Sequence, residues 1–287
     1  FYNLNDKFGI SLRETNSVCG DDNGFIWVAS KMGIIRYTQD DIRIYQLPYE
    51  STNVVTADLT YSQQNLYVYT NAGQIFKYNS IKDRFELLIN LSRVLRNPYL
   101  GVTGMLVDHE KRLWISSTTG MYYFSEENGL KATTVVNNVS AMTWYDTENI
   151  IYAEQDVLKL FNINELVYKP FYMFPSGTSY AVSSFLHDEL QDVWWIGTMG
   201  SGLFVFDSKA EQKLTPIVDI PSQPILAIEN FTTSSVLIGI DGQGVWELDK
   251  NSYEVLAVMK ENADNMGSLK GNGVYDIYRD NNNRVWV

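Results

Sequence analysis

This 287-residue sequence predicts an all-β fold of the seven-bladed β-propeller class with four-stranded antiparallel blades. Three observations carry the reading. Short strand-like runs recur around Trp27, Tyr67, Trp114, Tyr152, Trp195, Leu237 and Trp286, with successive gaps of 40, 47, 38, 43, 42 and 49 residues. An acidic residue stands six positions before five of these anchors: Asp21, Asp108, Asp146, Glu189 and Asp280. A glycine follows five of them after six or seven residues: Gly33, Gly73, Gly120, Gly202 and Gly244.

Each repeat reads as the same four elements. An inner strand, such as Met105-Leu106-Val107, leads into a turn at the acidic position. Asp, Asn and Gly bond locally to the backbone or tolerate positive φ, so Asp21-Asp22-Asn23-Gly24 and Asp280-Asn281-Asn282-Asn283 suit a hairpin. The anchor strand follows, then the glycine, which opens a third strand such as Ile34-Ile35-Arg36-Tyr37. An outer strand, such as Tyr253-Glu254-Val255-Leu256-Ala257-Val258, completes the unit. The fourth repeat lacks the glycine and reads as a hairpin shortened by one residue. Val, Ile, Leu and aromatics fill these runs and fit a pleated, half-buried surface. Helical periodicity is confined to single turns near residues 91–95 and 164–168.

The chain ends fit a propeller closed by both termini. Residues 1–4 resemble the outer strand that precedes the other inner strands, and residues 274–287 supply an inner and an anchor strand. Pairing them in one blade removes exposed edges. The expectation is a single propeller over 1–287, six full blades plus an incomplete seventh, forming part of a longer protein. The first residue is Phe1, not Met, which fits a processed or truncated export product.

Composition excludes several functions. The net charge of −12 makes nucleic acid and anionic membrane surfaces poor partners, since both require clustered Lys and Arg. No run approaches the roughly 18 apolar residues of a membrane span. The lone Cys19 forms no internal disulfide and falls on an inner strand as a small hydrophobe.

Catalytic chemistry finds little support. His109 and His187 both fall at the Asp-turn rim, and no HExxH, CxxC or GxSxG occurs. No metal site, cofactor or catalytic residue is expected. Gly200-Ser201-Gly202 and Gly242-Gln243-Gly244 precede strands, not helix N-termini, so they read as tight turns, not phosphate loops. Nothing nominates the facing carboxylate pair of a glycosidase.

A turn Asp, a strand with a Trp anchor, and a following Gly before an aliphatic and aromatic strand together resemble the two-component regulator propeller repeat. The clearest copies run over residues 21–37, 108–124 and 194–207, with 276–287 as an opening half. The resemblance implies the periplasmic sensor domain of a hybrid two-component system, of the kind that detects oligosaccharides and controls polysaccharide-utilisation genes. It further implies a second propeller and a β-sandwich later in the same chain, a homodimer, and a histidine kinase outside this segment. No ligand residues carry over, because the recurring motif packs the fold. Variable loops opposite the Asp turns are where a scaffold carries function. The candidate ligand-binding residues there are Lys31, Tyr99, Tyr180, Met199, Ser201, Asp241 and Gln243, with Asn71, Thr119, Gln155 and Tyr49 on the same rim. Two further readings stay open, a propeller enzyme of the lyase or glycosidase type and a pure dimerisation scaffold.

Overall fold

The computed structural model describes residues 3–10, 12, 14–48, 56–175, 180–208, 213–265 and 267–287. Among these the fold is an all-β propeller of four-stranded antiparallel blades, and six such sheets are present. Blade one holds β1 (Thr15–Gly20), β2 (Ile26–Ser30), β3 (Gly33–Tyr37) and β4 (Ile42–Tyr45). Blade two holds β5 (Ala57–Ser62), β6 (Asn65–Thr70), β7 (Gln74–Asn79) and β8 (Arg84–Asn90). Blade three holds β9 (Val102–Val107), β10 (Leu113–Ser117), β11 (Gly120–Ser125) and β12 (Gly129–Ala132). Blade four holds β13 (Ala141–Trp144), β14 (Asn149–Glu154), β15 (Val157–Asn162) and β16 (Val167–Met173). Blade five holds β17 (Val182–Asp188), β18 (Val193–Thr198), β19 (Leu203–Asp207) and β20 (Lys213–Pro216). Blade six holds β21 (Ile225–Asn230), β22 (Ser235–Ile240), β23 (Gly244–Asp249) and β24 (Val255–Met259). Two compact units divide the blades, Leu4–Val139 with blades one to three and Ser140–Val287 with blades four to six.

The seventh repeat is present in part. Its inner and anchor strands form a two-stranded ribbon, β25 (Tyr278–Arg279) against β26 (Val285–Trp286), so the described residues hold six four-stranded blades and not seven. The foreseen closing strand at residues 1–4 is not formed as such: Leu4 opens a short helix, α1 (Leu4–Phe8), and Phe1 and Tyr2 lie outside the described residues. Residues 91–95 do form a helical turn, α2 (Leu91–Val94), capped where Asn90 Oδ1 accepts the Arg93 amide at 3.0 Å. Residues 163–166 form a plain turn before β16.

The recurrent Asp performs two tasks with two oxygens. Asp108 Oδ1 accepts the amides of Glu110 and Arg112, each at 2.9 Å, and so closes the β9–β10 turn. Its Oδ2 accepts the Trp114 indole N–H at 2.9 Å and pairs with Arg112. Asp21 repeats the pattern with Asn23, Phe25 and Trp27, and Asp280 with Asn282, Arg284 and Trp286. Burial alone would raise the Asp280 carboxyl, yet the bonds from Trp286 and Arg284 hold it below the usual range.

The anchors then pack between blades. Trp27 and Ala29 of blade one lie in one cluster with Leu59, Leu66, Val68 and Phe76 of blade two. Trp195 packs with Ile225, Ile228, Val236 and Ile238 of blade six. Asp83, at the β7–β8 turn, ties blades one and two further by accepting Tyr45 at 2.8 Å and pairing with Arg36 and Arg43.

Two repeats break register with the sequence reading. In blade four the residues facing blade five are Ile151 and Ala153, which share a cluster with Val182 and Trp194; Tyr152 points from the opposite face. The anchor is therefore Ile151, five residues after Asp146, which accepts the amides of Glu148 and Asn149. Val157 then takes the glycine's place six residues on, so the β14–β15 turn keeps two residues and the shortening belongs to the β13–β14 turn. Burial, with the charge of Glu154 beside it, pushes the Tyr152 phenol far above its usual range.

In blade five the turn acid is Asp188 and not the exposed Glu189. One extra residue separates it from Trp195. Its Oδ2 lies 2.9 Å from Lys250 Nζ of blade six in a fully buried ion pair, while Lys250 donates to Asn230 Oδ1 at 2.8 Å. The buried Trp195 indole N–H finds no hydrogen-bond acceptor among the described residues.

This contrast yields a measurable difference. Trp114→Phe removes one of the two donors to the buried Asp108 Oδ2 and leaves it to Arg112 alone, whereas Trp195→Phe removes a donor that is already unpaired. Trp114→Phe is expected to destabilise the protein by about 1–2 kcal/mol more than Trp195→Phe in chemical denaturation. Trp114→Ala, which also opens a cavity at a fully buried site, should cost about 3–5 kcal/mol. Equal losses for the two Phe variants would refute the role of the carboxylate.

Candidate functional site

In each blade the anchor strand ends beside the segment that enters the inner strand. The Met199 amide bonds to Ala181 O, Asp241 to Pro224 O, Asn71 to Thr56 O, and Lys31 to Glu14 O. In each of these blades the second-to-third strand turn and the incoming connection thus share one rim, opposite that blade's first-to-second strand turn.

Sequence-predicted residues occupy that rim unequally. Lys31 is exposed and paired with Glu14 at 3.0 Å. Tyr99 is 90% exposed, on the loop after α2. Met199 and Ser201 share the β18–β19 turn, where Thr198 Oγ1 accepts the Ser201 amide at 2.8 Å. Tyr180 is buried, stacked on Phe174 at 4.7 Å and edge-on to Phe204, so its ring belongs to the core between blades four and five. Asn71, Thr119 and Gln155 lie at the corresponding turns of blades two to four; Tyr49 lies outside the described residues. The two histidines are elsewhere: His109 is exposed, and His187 is the penultimate residue of β17, stacked on Trp194 at 4.5 Å and bonded to Asp192. Among the described residues no three His, Cys, Asp or Glu side chains are grouped to hold a metal ion.

Asp241 and Gln243 are drawn together with residues that the sequence reading left out. The turn Asp241-Gly242-Gln243 has Gly242 at φ +70°, a left-handed conformation suited to glycine. At Gly244 a Cβ would stand 2.2 Å from Met259 O, so only glycine lets the end of β24 close over the turn. Lys260 then donates to Gln243 Oε1 at 2.7 Å, and the Trp246 indole to Gln243 O at 3.0 Å. The following loop is pinned by buried Leu269 and Val274 and by bonds from the Gly244 and Glu261 amides to Asn272. Gly239 makes room for Val274, whose Cγ1 would lie 2.6 Å from a Cβ there.

The result is a small open cradle around Gly273. A Cβ on Gly273 would stand 3.6 Å from Asp241 Oδ1, 3.5 Å from Tyr275 Cε2 and 3.8 Å from the Tyr275 hydroxyl. Tyr275 is half exposed. A carboxylate and an aromatic ring thus flank a side-chain-free backbone, with the Gln243 amide and the Lys260 ammonium on the same rim. An aromatic face with directional polar groups suits a hydroxyl-rich ligand. Tyr275 escaped the sequence reading because residues 274–278 look like a continuous inner strand; in the structure β25 begins only at Tyr278.

Further along the inner strands, Glu229 of β21 is pushed up to about 7 by burial and by the charge of Asp276, which outweigh the Asn230 amide and Arg279.

Residues 268–287 match the two component regulator propeller family. The matched repeat contains Gly273 and Tyr275 of the cradle as well as the Asp280–Trp286 pair. Solved structures of similar fold include the extracellular domain of the putative hybrid two component system BT4673 from B. thetaiotaomicron, with a TM-score of 0.78 and 18% identity over 97% of this chain and 37% of that one. The extracellular domain of the putative hybrid two component system BT3049 from the same organism gives 0.76 and 18%, over 99% and 40%. The chain thus spans about two fifths of the length of these structures. No curated protein matches it in sequence.

Glu229 generates a pH dependence. Its folded pKa lies above the unfolded value, so the folded state holds the extra proton between the two. The part of the stability that Glu229 contributes is therefore expected to fall as pH rises from about 4.5 to about 7. Thermal melts of Glu229→Gln should lose that part of the slope; an unchanged slope would place the titration elsewhere.

Proposed function

We propose that this chain is a sensor module on the extracytoplasmic side of a two-component-type signalling protein, and that it meets an oligosaccharide at the Asp241–Tyr275 rim. The observation that carries the reading is the cradle at Gly273, where an exposed ring and a carboxylate share one open backbone segment. The matched regulator repeat and the fold of the extracellular domains named above support the sensor role and a periplasmic location. In this reading the chain performs no chemistry of its own. Histidine kinase activity, a second propeller and a β-sandwich belong to other parts of the full-length protein.

A single short rim offers few contacts, so the chain alone binds sugars weakly. NMR titration with a panel of oligosaccharides is expected to give a Kd of about 1 mM or weaker. Shifts should centre on Asp241, Gln243 and Tyr275. Tyr275→Ala and Asp241→Asn should each abolish saturation. Shifts that persist in both variants, or that fall on the Asp-turn rim, would exclude this site.

A further inference from the structure

The six outer strands differ in how their free edges are guarded. β4 carries Arg43, β8 carries Arg84 and Glu86, β12 carries Lys131, β16 carries Lys169 and Pro170, and β20 carries Lys213 and Pro216. Charges and prolines on an edge discourage another strand from adding. β24 reads Val255-Leu256-Ala257-Val258-Met259 and has neither. Among the described residues its only sheet partner is β23. Leu256 is 54% exposed and Val258 44%. β24 does carry a bulge at Leu256, but β8 and β16 carry the same irregularity and are charged as well. A cleft of about 320 Å³ between residues 216–219 and 252–255 extends the apolar surface at the head of the strand.

The flanking residues decide what fits this edge. Glu254 precedes the run and Lys260 follows it, both exposed. When the run pairs antiparallel with itself about Ala257, Val255 faces Met259 and Leu256 faces Val258. Glu254 of each copy then faces Lys260 of the other, so acid meets base at both ends. The net charge of −12 opposes contact between two copies over most of their surface. Here the contact is neutral along its length and complementary at its ends. We propose that the outer edge of blade six docks a second copy of this chain, β24 against β24.

Sedimentation equilibrium on the full 287-residue chain tests this. The unmodified chain should dimerise. Glu254→Lys and Lys260→Glu should each weaken the dimer about tenfold, since each places like charges at both ends. The double variant should restore it. Leu256→Lys should yield a monomer by putting a charge on the bare edge. Ile81→Lys, at a site 95% exposed on blade two, should leave the dimer intact. Circular dichroism melts confirm that the variants fold. A chain that stays monomeric at every concentration overturns the proposal, as does a dimer indifferent to Leu256→Lys. Failure of the double variant to restore association overturns the pairing about Ala257. A monomer that binds a synthetic peptide of residues 254–260 would show an edge open to foreign strands and would equally refute self-docking.

Discussion

One carboxylate, six residues ahead of a tryptophan, organises the repeat. A buried indole N–H must find an acceptor or remain bare at a cost. The turn Asp provides that acceptor from the same hairpin, so the largest side chain of the blade can be buried without help from a neighbour. The other oxygen holds the turn backbone, which fixes the distance between turn and indole. Blades whose anchor is not a tryptophan need no such acid. Blade six, anchored at Leu237, closes its turn with the hydroxyls of Thr232 and Ser235. Blade five shows what happens when the spacing slips by one residue: Asp188 turns to Lys250, and the Trp195 indole is left alone. The cost of that bare N–H is offset by burial of the ring against Ile225, Ile228 and Ile238.

Fixing one end of each blade frees the other. At the Asp21, Asp108 and Asp280 turns both carboxylate oxygens are spent inside the hairpin. The opposite rim is held by backbone bonds between neighbouring segments, which constrain few side chains. Blade six illustrates the division. Gly239 and Gly244 act purely by absence, letting Val274 and the end of β24 approach. Asp241, Gln243, Lys260 and Tyr275 are then presented at the surface, where they can change without disturbing the packing.

This division also explains what was legible in the sequence. The period, the turn acids and the glycines are repeated, so six blades and most anchors could be read directly. Parity could not. A one-residue change in the β13–β14 turn moves the inward face from Tyr152 to Ile151, and a strand of apolar residues on both sides hides the slip. Tyr180 reads as a loop aromatic, but stacking on Phe174 takes it into the core. Asp241 and Gln243 could be placed on a rim because they sit in a repeated turn. Tyr275, Lys260 and Gly273 could not, because the loop that brings them there occurs once and has no counterpart for comparison.

Lys260 belongs to both surfaces of blade six. It donates to Gln243 Oε1 on the rim, and it is the residue that would meet Glu254 of a second copy. An ammonium carries three N–H donors, and Lys250 uses two of them at once, meeting Asp188 and Asn230. In the proposed pairing Lys260 would therefore keep Gln243 Oε1 while it meets Glu254 of the second copy. Docking of β24 would then hold the Gln243 side chain in place on the rim, with no rearrangement of the sheet between them.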